Sequence, residues 1–342
     1  MSDLNINNIT DRTGSSGPVI TGVSTVSSTG AFTVPVGPTE NRGGRGRGIF
    51  AGGVPSTSAI QLIEIATTGN STSFGNLRFE NQAPNGNLSS STRGYYVGTY
   101  EQPADALATT MQYVVFSSQG GVTYFGDLEY GRGATGTASN STRGLLYGGD
   151  NPDYLSVLDY ITLSSTGRES SFGTVLDGVV IRNTAGTQSP TRAVWGGGGN
   201  SSMLKTIAYS TFATKGDALE FGGLTGLRAD GVGPSNTTRG LFAGGKTPGV
   251  LATIDYVTIA TLGDAQDFGD LTVARRNSAG MSNSVRGVIA AGCTTGSGPS
   301  GNVNTMDYVT IASLGNATDF GDATAAARQW NSGNSDSHGG LG

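Results

Sequence analysis

The chain is poor in the residues that carry most site chemistry: one cysteine and one histidine in 342 residues. Cys293 alone excludes an intrachain disulfide and any multi-cysteine metal site. His338 alone excludes a histidine-based metal cluster. So near the end of the sequence, it reads as a tail or turn residue rather than the base of a catalytic triad. Lysine is almost missing too: only Lys205, Lys215 and Lys246 occur among 20 basic residues. Positive charge therefore rests on arginine, whose planar multi-donor head suits fixed pairing better than general solubility. The net charge of −5 does not favour a nucleic-acid backbone as partner. No apolar run is long enough to span a membrane. Met1-Ser2-Asp3-Leu4-Asn5 lacks the basic region and apolar core of a signal peptide. The expectation is a soluble protein made in a cytoplasm.

Charged residues make up only 13 % and apolar residues 35 %, values that on their own lean toward disorder. The 12 Tyr and 12 Phe, with many Val, Ile and Thr, argue the other way, because these residues suit a pleated, half-buried surface. The 57 glycines fall with Ser, Thr and Asn between short apolar runs, as turns do. The pattern is that of many short strands joined by tight turns.

An arginine followed by a short apolar run and glycine recurs six times: at Arg47 (RGIFAGG), Arg93 (RGYYVGT), Arg143 (RGLLYGG), Arg192 (RAVWGGG), Arg239 (RGLFAGG) and Arg286 (RGVIAAG). Successive spacings are 46, 50, 49, 47 and 47 residues. Each copy leads to a β-rich run and then to Phe-Gly, at Phe74, Phe125, Phe172, Phe221, Phe268 and Phe320. A further arginine often follows: Arg132, Arg228, Arg275 and Arg328. A period near 47 residues with strand chemistry throughout points to propeller blades of four strands. In the last full period strand a is placed at about Arg275 to Met281, b at Arg286 to Ala291, c at Met306 to Ala312 and d at Ala317 to Ala323.

The first copy starts at strand b, while Arg328 to Asp336 reads as a spare strand a. The expectation is an all-β, six-bladed propeller over residues 44–342, closed by its C-terminal strand. Residues 1–43 are expected to form a short β-rich attachment and oligomerisation arm. A seventh blade built from those residues is the alternative.

The order arginine, turn, apolar strand, Gly-Gly, tyrosine strand, aromatic, arginine resembles the kelch repeat, with the Phe of Phe-Gly at the kelch tryptophan position. Ile9 to Ile20, Phe32-Thr33-Val34-Pro35, and repeats such as TRGLFAGG and IDYVTIATLGDAQDFGDLT resemble kelch-like virion proteins of marine tailed phages. Over essentially the whole chain, this resemblance implies a virion structural protein: a tail, tail-fibre or surface-decoration part assembled in the host cytoplasm. It also implies other virion subunits as partners through the arm, a homo-oligomer, and a propeller for protein or host-surface glycan binding. Host recognition and a purely architectural role both fit.

The six repeat arginines read as a ligand-binding set or as ties between blades. Partly buried arginines need partners, which favours ties, to turn carbonyls or to carboxylates such as Asp159, Asp255, Asp307, Asp127, Asp270 and Asp322. Arg42 to Arg47 resembles an RNA-binding glycine-arginine tract, but as one short copy in an acidic chain it reads as a hinge. Asn-x-Ser/Thr at repeat positions is turn chemistry. No catalytic, cofactor-binding or metal-ligating residues stand out, and the chain reads as non-enzymatic. A glycan-degrading depolymerase acting through a carboxylate pair stays open as the alternative. Alternating strand direction puts the a–b and c–d turns on one face and the b–c and d–a loops on the other. The b–c connections vary: 11 residues from Gly149 to Tyr160 and from Gly245 to Tyr256, but 15 from Gly98 to Tyr113 and 16 from Gly292 to Tyr308. Loops on a rigid scaffold are where contacts are displayed, so the candidate contact residues are Tyr100, Glu101, Gln102, Asp105, Thr294, Thr295, Ser297 and Asn302.

Overall fold

The computed structural model describes residues 46–82, 85–101, 106–151, 153–296 and 299–341. The arm expected over 1–43 lies outside them. The described chain is a six-bladed β-propeller, and its secondary structure is antiparallel strand apart from short 3-10 turns. Blade 1 takes strands b, c and d from Arg47–Ala51, Thr57–Glu64 and Thr72–Gln82. Its strand a is Ser332–Ser335, which pairs with strand b through Gly48↔Ser335, Ile49↔Asn334, Phe50↔Gly333 and Ala51↔Ser332. The ends of the propeller are thus latched in one sheet. In blade 6, strands a to d are Ala279–Ser282, Arg286–Cys293, Asn302–Thr310 and Thr318–Asp322.

The strands a are shorter than the sequence suggests, for a conformational reason. Ala134, Asn183, Asp230, Asn277 and Trp330, just ahead of them, have φ between 53 and 61°. That left-handed region ends an extended segment. These residues instead form part of a hydrogen-bonded ring: the N–H groups of Asn183, Asp230, Asn277 and Trp330 donate to the carbonyls of Ala134, Asn183, Asp230 and Asn277 at 2.8, 3.1, 2.9 and 2.8 Å. In blade 5 the innermost segment makes only single bridges, Val232↔Ala243 and Ser235↔Gly240. Pro234 between them has no N–H to donate.

Packing is between blades rather than within them. Six apolar clusters each join two adjacent blades, and the cluster of Phe50, Ile63 and Ile65 with Met281, Val288, Met306 and Phe320 closes the cycle from blade 6 to blade 1. Phe-Gly serves this arrangement twice. Its phenylalanines are at most 4 % exposed. Those of blades 2 to 6 stand edge-on to a strand-c tyrosine, with centroids 5.9 to 6.2 Å apart. Such geometry matches the positive ring edge to the negative ring face. The glycine admits the next blade: a Cβ on Gly75 would overlap the Gly120 carbonyl, and one on Gly126 the Gly167 carbonyl. At this joint the c–d turn donates an N–H to the preceding Phe carbonyl in all six places, from Gly120 to Phe74 at 3.0 Å round to Gly69 with Phe320 at 2.7 Å.

One departure from six-fold regularity was not foreseen. Strand d of blade 1 runs on to Gln82 and pairs with strand b of blade 2, Arg93–Glu101, through Asn81↔Glu101 and Gln82↔Tyr100. Blades 1 and 2 therefore share one eight-stranded sheet.

Candidate functional site

The repeat arginines face the neighbouring blade. Arg143 Nη1 donates to the carbonyls of Phe212 and Ala213, Arg192 to Ile259 and Ala260, Arg239 to Ile311 and Ala312, and Arg286 to Ile65 and Ala66. Arg47 donates to the Phe116 carbonyl and lies 3.5 Å from Glu64. Each acceptor closes strand c of the next blade. Arg93 to Arg286 also lie over a tyrosine of their own blade, from Arg93 on Tyr113 at 4.5 Å to Arg143 on Tyr160 at 5.3 Å. These guanidiniums stack on one blade and, Arg93 aside, tie it to the next. The turn before them is fixed by a side chain, as at Asn140, whose Oδ1 accepts from Thr142 N and Arg143 N at 3.0 and 2.8 Å.

Asp159, Asp255 and Asp307 pair not with these arginines but with the second set. Arg228 reaches Asp255 and Arg275 reaches Asp307 at 3.2 Å, and Arg132 hydrogen-bonds Asp159. Arg132 and Arg275 are fully buried and Arg228 nearly so. Burial lowers the pKa of Arg228 and Arg275, and the facing carboxylates oppose the shift. Blade 4 has neither partner: Ile181 and Ala208 stand there and pack in one apolar cluster. Across blades 3 to 6, buried charge appears with its counter-charge and disappears with it.

The described candidate contact residues fall on two blades, 2 and 6. Tyr100 and Glu101 lie in strand b of blade 2, paired with Leu107 and Ala106 of strand c, Ala106–Val115. Much of the supposed loop is thus a protruding hairpin. Gln102, Asp105 and Ser297 lie outside the described residues. On blade 6, Thr294 is held by the Gly301 carbonyl, with N–H and Oγ1 contacts of 2.8 and 3.1 Å. The Thr295 carbonyl accepts from Arg276 Nε at 3.0 Å. Asn302 Nδ2 donates to the Val54 carbonyl at 2.6 Å, across the seam to blade 1. The two lengthened hairpins therefore belong to the two blades that flank blade 1.

Between the b–c and d–a loops the axial channel opens as a cavity of about 110 Å³ lined by Thr137, Thr184, Gly186, Asn277, Trp330 and Ser332 among others. Two carboxylates stand near this mouth: Asp150, paired with Arg182 at 3.0 Å, and Asp230, between Arg276 at 3.0 Å and Lys246 at 3.2 Å.

At the other end the channel meets a ladder of serines. The N–H groups of Gln188, Ser235, Ser282 and Ser89 donate to the hydroxyls of Ser235, Ser282, Ser335 and Ser139 at 3.3, 3.2, 3.2 and 2.9 Å. Blade 4 has Gln188 where the others have serine, and His338 meets its amide Nε2 at 3.1 Å. His338 lies at the C-terminal 3-10 turn Gly339–Leu341, and that turn is buried. The C-terminal segment turns inward, and the imidazole, 4 % exposed, sits among blades 2, 3 and 4. Gly340 N donates to Nδ1 at 3.1 Å, so Nε2 carries the proton and donates to the Ser89 carbonyl at 3.0 Å. Protonation would set a second N–H against that of Gly340. Burial, partly opposed by the Ser89 carbonyl, brings the pKa down from 6.5 to about 4. As the pH falls, the unfolded chain takes up this proton near 6.5 and the folded one only near 4. Stability is lost across that window and levels off below it, by roughly 3 kcal/mol in all. Urea titrations at pH 7 and pH 4.5 should show a steeper loss in the wild type than in His338→Gln. Equal losses would mean that the imidazole titrates normally.

Among the described residues, no group of three or more His, Cys, Asp or Glu side chains is placed to hold a metal ion. No protein-family model matches the chain, and no curated protein matches it.

Proposed function

We propose that the chain is a non-catalytic virion structural protein that presents its b–c loop face to a partner: another protein or a host-surface glycan. Support for a virion role comes from the resemblance of the repeats and N-terminal stretch to kelch-like phage virion proteins. The observation that carries the binding reading is where the repeats differ. The joints between blades recur from blade to blade, whereas the b–c connections change in length and form. Blades 3 and 5 have short hairpins, Asp150–Asn151 with Asp153–Tyr154 and Lys246–Thr247 with Gly249–Val250. Blades 2 and 6 have the two long ones. Loop length costs little entropy, so the closed ring tolerates this variation without change to its packing.

The test shortens the hairpins of blades 2 and 6 to the 11-residue form of blades 3 and 5. The expected result is an unchanged unfolding temperature with adsorption to host cells reduced at least tenfold. Unchanged adsorption with unchanged stability would make the loops passive and favour the architectural role. Incubation with host polysaccharide separates the remaining classes: binding without release of reducing ends supports adhesion, and release identifies a depolymerase. A map of the assembled particle would locate the chain within it.

A further inference from the structure

The buried arginine–aspartate pairs of blades 3, 5 and 6 and the apolar pair of blade 4 leave two exceptions: blade 2, with the buried Gln112 at the aspartate position, and blade 1. Blade 1 keeps the arginine, Arg328, but has Gln61 where the aspartate belongs. The seat is the same. Thr324 Oγ1 donates to Gln61 Oε1 at 2.7 Å, just as Thr225 does to Asp255 at 2.8 Å and Thr272 to Asp307 at 2.7 Å. Ser71 Oγ donates to the same Gln61 oxygen at 2.8 Å. The amide oxygen is therefore fully engaged, and what glutamine offers in place of the second carboxylate oxygen is an NH2 group, which only donates. The Arg328 guanidinium makes no hydrogen bond or ion pair among the described residues. Burial lowers its pKa with no carboxylate acting against the shift, unlike Arg228 and Arg275.

Gln61 and Arg328 both line a cavity of about 10 Å³ at the seam of blades 6 and 1, with Phe50, Ala51 and Ala323 as part of its wall. That is the room of one water-sized body. Two residues with donor-bearing side chains, one of them cationic, line a partly apolar space that has no carboxylate in its wall. We propose that this cavity binds one small monovalent anion of chloride size, which stands where the other blades keep a carboxylate oxygen. The bound anion links strand c of blade 1 to the C-terminal segment that carries Arg328, so it favours the closed ring.

A ligand that binds only the folded state raises the unfolding midpoint by mass action. The full-length chain is unfolded thermally at constant sodium concentration while chloride replaces gluconate, which is too large for the cavity. The expected result is a saturable rise of the midpoint with chloride in the wild type. Arg328→Gln should abolish the rise. Gln61→Asp should abolish it as well, by restoring the carboxylate, and should do so at a midpoint no lower than that of chloride-free wild type. Bromide-soaked crystals should give an anomalous peak beside Arg328. A wild-type midpoint indifferent to chloride would mean that the cavity holds water, and an equal rise in all three proteins would place the salt effect elsewhere. Either result overturns the proposal.

Discussion

Removal of residues 328–342 is expected to leave a chain that does not fold to a soluble monomer. The deleted segment contributes strand a of blade 1, but its bonds reach further. Arg47 N donates to Asp336 Oδ1 at 3.1 Å, Asn334 Nδ2 to the Tyr95 carbonyl at 3.0 Å, Ser89 Oγ to the Ser335 carbonyl at 2.8 Å, and Gly339 N to the Ser235 carbonyl at 3.0 Å. At about 1 kcal/mol per hydrogen bond, the loss of these four together with the ladder to strand b reaches the whole stability of an ordinary domain, about 5–15 kcal/mol. Deletion also bares Ile49 and Phe50 and leaves strand b of blade 1 as an open edge, a template for aggregation. A shorter deletion, of residues 337–342, keeps the strand and removes only the segment that seats His338 among blades 2, 3 and 4, so it should fold with a lowered midpoint. A peptide of residues 326–342 added during refolding of the larger deletion should restore soluble protein. If residues 1–327 unfold cooperatively at the wild-type temperature, the strand is not the closure of the ring.

The closure was legible because a surplus at one end of the sequence matched a deficit at the other. Blade number was legible for a similar reason, since six Phe-Gly copies in fixed order favour six over seven. What stayed hidden depends on neighbours across the ring. The glycine of Phe-Gly marks the period in sequence, yet its cause is the approach of a turn some 45 residues downstream, as from Gly75 to Gly120. The sequence displays the aspartates, but beside the conspicuous arginines of strand b as their candidate partners. Only the spatial placement of Arg132, Arg228 and Arg275 identifies their partners. Strand a reads too long in the sequence because nothing in Asn277 or Trp330 as residue types announces a left-handed backbone. His338 reads as a tail or turn residue from its position in the chain, although one sequence signal points to its burial. Gln188 breaks a series of serines at the ends of the strands a, and a polar side chain from elsewhere fills that place.

The repeats also state what a buried ion pair is worth here, because blade 4 has an apolar pair in its place. Asp307→Ala leaves Arg275 charged at 0 % exposure with no carboxylate, and strips Thr272 of its acceptor at 2.7 Å. Loss of one partner from such a pair costs about 3–5 kcal/mol, because the remaining charge has given up its hydration and receives nothing in return. Arg275→Ile alone should cost a similar amount for the mirror reason: Asp307 is likewise fully buried. The double variant reproduces the apolar arrangement of Ile181 and Ala208 in blade 4, so it should lie within about 2 kcal/mol of the wild type. Thr272→Leu, matching Leu176 of blade 4, should recover part of the remainder by removing the stranded hydroxyl. A double-mutant cycle read by urea denaturation measures this directly. The expected coupling is several kcal/mol in the sense that each loss is relieved by the other. If the two single losses simply add, the pairs stabilise the ring through their separate contacts with the backbone, such as Arg275 Nη2 with the Ile289 carbonyl at 3.0 Å. The joint absence of both groups from blade 4 would then need another cause.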